Sequence, residues 1–203
     1  MSYLLDVKDI VAGYGAVTIL RGVSIHLDKK ESIGLFGPNG HGKTTLLHAI
    51  SGLIKPRQGH VYFNEVDLSS VKPYKIVKMG LVHSPQGNTL FSAMGVGEIL
   101  ELSAFTKRAK ENKTRNFEKV YTLFPRLAER KKQLAKTLSG GERQMLSIAA
   151  ALMCSPEVLM LDEPTLGLSP LLKEEVCNPI AGIKATGIPL LIVEQDVGFL
   201  LSL

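Results

Sequence analysis

Cysteine is scarce in this chain: the 203 residues hold two, Cys154 and Cys177. They show no metal-ligand spacing and no neighbouring histidines, so they read as plain core or surface thiols rather than a metal centre or a disulfide framework. The five histidines are scattered, which argues against a metal site built from them. Long apolar runs are also missing. The longest, Ile148 to Cys154 and Pro189 to Val193, fall far short of the roughly 18 residues that a membrane-spanning helix needs. The start, Met1-Ser2-Tyr3-Leu4-Leu5-Asp6, lacks the basic head and apolar middle of a secretory signal. A soluble, cytoplasmic chain is the expectation. Without an internal repeat or a low-complexity linker, one domain is the economical reading.

What is present fits a well-buried globular fold. Hydrophobic residues make up 45% and charged residues 21%. The net charge is +5, and the excess gathers in Lys107-Arg108-Ala109-Lys110 and between Arg126 and Lys136. A solvated helix face explains it, with attraction to anionic lipid headgroups or nucleic acid as alternatives. No aromatic-rich basic strand or recognition-helix pattern accompanies the charge, so nucleic acid is the weaker of the two.

Patterning divides the chain into three. Leu4 to Ala12, Val17 to Leu27 and Glu31 to Phe36 alternate or run apolar, as strands do, with Gly13-Tyr14-Gly15 as the break between the first two. Thr44 to Ile50 has helical character, and Val61-Tyr62-Phe63 is a further short strand. From about Ser92 to Lys136 apolar residues recur at three-to-four spacing, as in Ile99, Leu102, Phe105 and Phe117, Val120, Leu123. That is the texture of a helical arm. Gly140 to Leu152 reads as one more helix with Met145, Ile148 and Leu152 on one stripe. Val158 to Leu161 and Ile188 to Val193 are short apolar runs of the kind buried on both faces of a parallel sheet. Between them Leu171 to Ala185 is helical in pattern but carries Pro179 inside, which is expected to kink or split it.

Gly37-Pro38-Asn39-Gly40-His41-Gly42-Lys43-Thr44 matches the phosphate-loop pattern G-x-x-x-x-G-K-[ST] at each fixed position. Glycines let successive backbone N–H groups curl around a phosphate, and the helix that follows points its positive end at the same anion. Lys43 brings a charge to the β- and γ-phosphates, and the Thr44 hydroxyl is placed to ligate Mg²⁺. His41 occupies a free position and is expected to face solvent. A second half of such a site is a buried strand ending in acid, and Val158-Leu159-Met160-Leu161-Asp162-Glu163 is one. Asp162 suits the Mg²⁺ shell; Glu163 suits an attacking water.

Leu138-Ser139-Gly140-Gly141-Glu142 decides between phosphate-loop families. With this string placed shortly before the acidic strand, the sequence resembles the ATP-binding-cassette family. The resemblance implies an α/β fold: a phosphate-loop core with a mostly parallel sheet, an N-terminal antiparallel β subdomain and an inserted helical subdomain. It implies a core of residues 1–86 and 157–203 with the helical part at about 87–156. ATP and Mg²⁺ are the expected cofactors. Tyr14 falls where an aromatic stacks on adenine, Thr45 extends the nucleotide-binding loop, and Gln86 fits a lever glutamine that contacts Mg²⁺ and the water. Ser139, Gly140, Gly141 and Glu142 are expected to meet the γ-phosphate held by the opposite monomer. Leu166-Gly167-Leu168-Ser169-Pro170 matches the loop that crosses the dimer interface.

Within the family, Leu123-Phe124-Pro125-Arg126-Leu127 and Val193-Glu194-Gln195 resemble subunits of branched-chain amino acid importers, with urea and amide importers as relatives. Gln195 stands where most cassettes have histidine. An amide can hydrogen-bond phosphate but carries no proton at neutral pH, so Glu163 is expected to bear the water chemistry while Gln195 positions. The resemblance implies homo- or heterodimers, transmembrane permease partners, no nucleic acid, and a peripheral place on the cytoplasmic face of the membrane. Three departures stand out: Ala149-Ala150-Ala151 in place of an arginine, Asn88 where the importers tend to have arginine, and an end at Leu203, short of the family's closing helix and strands. A soluble non-transporting cassette and a regulatory module without turnover remain alternatives.

Overall fold

In the computed structural model, residues 3–87 and 91–203 are described. The N-terminal strands β1 (Leu5–Tyr14) and β2 (Val17–Leu27) form an antiparallel hairpin. The expected break at Gly13-Tyr14-Gly15 is corrected: β1 runs on to Tyr14, which pairs with Val17, and the turn is Gly15-Ala16. Register slips at Lys8-Asp9, where Asp9 has φ +48. This bulge shifts the inward face from Leu5 and Val7 to Ile10 and Ala12. On the far side of β1 lies β4 (Gln58–Phe63), which continues through Asn64-Glu65 into the short β5 (Val66–Asp67). The sheet order is β2-β1-β4-β5.

A second sheet is parallel, in the order β3-β8-β7-β6. Its strands are β3 (Ile33–Phe36), β6 (Leu81–Ser84), β7 (Val158–Asp162) and β8 (Leu190–Glu194). Every residue of β7 and β8 is buried, as their apolar runs require of strands covered on both faces. Alternate residues feed two cores. Val158, Met160, Leu191 and Val193 join α1 (Lys43–Ile50) and the antiparallel sheet; Leu159, Leu161, Leu190 and Ile192 join the helical side. This parity turns Asp162, two residues beyond Met160, toward α1.

Pro73–Met79 forms α2 ahead of β6. The arm contains α3 (Val96–Ser103), α4 (Lys107–Glu111), α5 (Lys113–Leu123), α6 (Pro125–Glu129) and a 3-10 turn at Ala135–Thr137. The expected stripe Ile99, Leu102, Phe105 is only partly inward. Val96, Ile99 and Leu100 are buried, while Leu102 and Phe105 are half exposed, so the i, i+3, i+4 set governs. Helix α7 (Gly140–Met153) is buried around nearly its whole girth, well beyond one stripe. It packs on α3, α5 and α6 of the arm and also on β6, β7 and α8 (Pro170–Ala185), tying the arm to the sheet.

Pro179 does not split α8, contrary to expectation: the helix is continuous from Pro170 to Ala185. Val176, Ile180 and Ile183 lock its inner face into the core, and this packing outweighs the missing N–H. A last short helix, α9 (Val197–Leu201), follows β8. Burial pushes the Cys154 thiol up to about 11, leaving it an inert core thiol. Among the described residues no helix is long and apolar enough to cross a membrane. Asn88 lies outside the described residues.

Candidate active site

The turn from β3 into α1 is the sequence-predicted phosphate loop. Gly42 caps α1 at φ +85, and a Cβ there would come within 2.9 Å of Leu20 Cδ2. Only glycine satisfies both the left-handed backbone and the close approach. No side chain caps α1, so its first N–H groups point into the loop as an anion site. Lys43 folds back across that loop. Its ammonium donates to Gly37 O (2.8 Å) and Pro38 O (3.1 Å) and forms an ion pair with Glu163 Oε1 (3.0 Å). His41 is exposed and its ring meets only Asn39 O (3.2 Å). Thr45 is buried.

The acidic strand end converges on the same place. Thr44 Oγ1 donates to Asp162 Oδ1 at 3.1 Å. Burial pushes the Asp162 carboxyl up to about 6, against the pull of the Thr44 hydrogen bond. Its other oxygen, Oδ2, is buried without a hydrogen-bond partner among the described residues. Continuing β7 as a strand would turn Glu163 to the opposite face. Instead Glu163 takes φ +45, a strained conformation for a side-chain-bearing residue, while its N–H bonds Val193 O at 2.9 Å. The bend brings its carboxylate beside Lys43. Glu163 Oε2 also accepts from Gln86 Nε2 and Gln195 Nε2, each at 2.9 Å. Three donors on three separate segments hold one buried carboxylate.

Sequence reasoning missed the support beneath this carboxylate. Glu194, at the end of β8, accepts from Thr165 N (2.8 Å) and Thr165 Oγ1 (2.7 Å), and its other oxygen accepts from Gln195 N at 3.1 Å. Glu194 thus splints the turn after Glu163 to the segment bearing Gln195. An acid closing a wholly apolar strand was the available signal. Two further histidines were also missed: His83 on β6 and His48 on α1, the latter hydrogen-bonded to Tyr14. Tyr14 is 45% exposed, its hydroxyl 2.8 Å from His48 Nδ1.

Ser139 to Glu142 stand apart. Ser139 caps α7 reciprocally: its Oγ accepts from Glu142 N (3.2 Å), and its N–H donates to Glu142 Oε2 (2.8 Å). Arg130 pairs with the same carboxylate at 2.9 Å. Ahead of the Glu142 N–H that Ser139 caps, Gly140 and Gly141 carry no side chain to cover their own N–H groups. Among the described residues, no hydrogen bond or ion pair joins this cap to the Lys43–Glu163 cluster. In the basic segments Lys107 pairs with Glu111, Arg108 with Glu157 and Arg126 with Glu175.

The family model described as ABC transporter matches residues 20–166. The chain belongs to the ABC transporter family. It is an ATPase subunit of that family, with the family's α/β cassette fold. The chain is 35% identical to the high-affinity branched-chain amino acid transport ATP-binding protein BraG of Pseudomonas aeruginosa, over 98% of this chain and 85% of that one. A probable branched-chain amino acid transport ATP-binding protein, LivF of Archaeoglobus fulgidus, is 39% identical over 96% of this chain and 82% of its own length. Among solved structures, the ADP conformation of the cassette MJ1267 superimposes with a TM-score of 0.83 at 29% identity, covering 99% of this chain and 84% of that one.

Proposed function

We propose that this cassette drives import of branched-chain amino acids, hydrolysing ATP with Glu163 as the general base. The observation that carries the catalytic part is the strained Glu163, held at once by Lys43, Gln86 and Gln195. The resemblance to BraG and LivF carries the substrate class.

In this reading the β- and γ-phosphates lie in the Gly37–Gly42 turn, against the bare N–H groups of α1, and Tyr14 stacks on adenine. The γ-phosphate takes Lys43 from Glu163. The released carboxylate then accepts a proton from a water that attacks the γ-phosphorus, and the bond to the ADP oxygen breaks. Gln86 and Gln195 keep the base and the water aligned. Neither amide takes a proton, so both position and Glu163 alone accepts.

The residues fit Mg²⁺. Thr44 and Asp162 offer a hydroxyl and a carboxylate, Asp162 has an oxygen without a donor among the described residues, and Gln86 bonds the adjacent Glu163. Mg²⁺ prefers few protein oxygens completed by phosphate and water. Bound there, it neutralises charge on the transferring phosphate.

Among the described residues no hydrogen bond or ion pair joins Ser139, Gly140 or Gly141 to the chain's own Glu163, which suits a role on a partner's nucleotide. Two copies, or this chain and a second cassette, then clasp ATP head to tail. Permease subunits dock beside Gln86 and the arm, placing the protein at the cytoplasmic membrane face. Glu163→Gln tests the core of the proposal. We expect steady-state hydrolysis to fall by about 100-fold or more while ATP binding, read by calorimetry, persists. Retained turnover defeats the assignment. Co-purification with hydrophobic permease subunits, rather than with ribosomes or DNA, tests the transport part.

A further inference from the structure

The catalytic reading leaves His83 unused. It lies in β6, opposite Met160 in the parallel ladder with β7, with its side chain only 6% exposed. Among the described residues its Nε2 is buried without a hydrogen-bond partner, and so is Asp162 Oδ2, 4.0 Å away. Buried polar atoms are seldom orphaned, and two facing one another call for a reason. At 4.0 Å the gap is about 1 Å too long for an N–H···O bond. Nor is the pair an ion pair: burial, aided by His48, pushes His83 down to about 4, so the ring is neutral. A carboxylate only accepts, so the contact requires the Nε2–H tautomer.

The rest of the ring is braced. His48 meets it edge-on with centroids 5.8 Å apart at 61°, and His48 in turn bonds the Tyr14 hydroxyl. His48 sits one helical turn after Thr44, the one side-chain donor to Asp162 among the described residues. A Thr44 hydroxyl that turns a lone pair to a cation keeps its O–H for Asp162 Oδ1, so Oδ2 is the oxygen that still needs a donor, and His83 Nε2 stands 4.0 Å from it.

We propose that His83 is a positioning residue whose Nε2–H closes onto Asp162 Oδ2 when a nucleotide-bound divalent cation occupies the Thr44–Asp162 site, fixing Oδ1 toward the cation. This rests on the reading of Asp162 as part of the Mg²⁺ shell. Removing an outer donor of this kind weakens metal binding by about 10-fold or more where it has been measured.

The test is calorimetric binding of ADP with and without Mg²⁺ to the wild-type protein, His83→Leu and His83→Gln, with thermal unfolding as the check on folding. We expect Mg²⁺ to tighten ADP binding to the wild type. His83→Leu should cut that tightening by about 10-fold with metal-free ADP affinity unchanged, and His83→Gln, which keeps an N–H donor, should restore most of it. On the wild type itself, the ¹⁵N-edited imidazole N–H resonance of His83 should move downfield with MgADP and not with ADP. A folded His83→Leu with the full Mg²⁺ effect, or a static resonance, overturns the proposal. A wild type whose ADP affinity ignores Mg²⁺ instead overturns the assignment of Asp162, and the inference with it.

Discussion

Asp162 and His83, side by side in the interior, titrate in opposition. Burial raises Asp162 from its ordinary value near 3.8 to about 6. Between those values the folded chain holds a proton that the unfolded chain has lost, so this group makes stability fall as pH rises. His83 is lowered from 6.5 to about 4. Here the unfolded chain holds the extra proton, and stability rises with pH over nearly the same window. The two slopes offset one another in the wild type. Urea unfolding from pH 4 to 6.5 is expected to separate them. Relative to wild type, Asp162→Asn should gain stability increasingly toward pH 6.5, and His83→Leu should gain it increasingly toward pH 4, each by about 2 to 3 kcal/mol across the window. Parallel curves for all three proteins contradict this. Lys43, Thr44, Asp162 and Glu163 were legible in the sequence because their spacing is the chemistry. His83 and Glu194 were not, because neither belongs to a spaced motif and each finds its role only where the fold sets it against His48 and Asp162, or against Thr165.

At the scale of elements, the β1 bulge sets the inward face of the antiparallel sheet, and Gly59 of β4 permits it. Gly59 has φ +82, and a Cβ there would lie 2.3 Å from Lys8 O and 2.4 Å from Asp9 O. Backbone cannot retreat as a flexible side chain does. Gly59→Ala is expected to cost about 2 kcal/mol or more, read as a lower urea midpoint at unchanged slope. An unchanged midpoint refutes the steric account. Periodicity was a good guide where one face alone was buried, as in β1, and where runs were wholly apolar, as in β7 and β8. It failed for α7, since a helix clasped by both sheet and arm has no exposed stripe to betray its phase. Pro179 misled for a related reason: local propensity argued for a break, but the inner face of α8 is fastened by Val176, Ile180 and Ile183.

For the molecule as a whole, the proposal places the α7 cap of one copy on the nucleotide of another. Light scattering of Glu163→Gln with ATP and Mg²⁺ should report twice the monomer mass. Adding Gly140→Arg should return it to one. A Cβ at Gly140 meets nothing within 4 Å, so the fold is spared while the offered surface is filled. A dimer that tolerates the arginine refutes head-to-tail pairing at this cap. The signature string announced this surface, but no pattern in the sequence announced that Lys43 and Glu163 would neutralise one another. That pairing has a consequence for idle chains. On the proposed reading, a triphosphate must win the ammonium from two carbonyls and a carboxylate, and in doing so it unmuzzles the base. Recognition of the correct anion and arming of the chemistry become a single event, so a ligand lacking the terminal phosphate leaves the safety catch on.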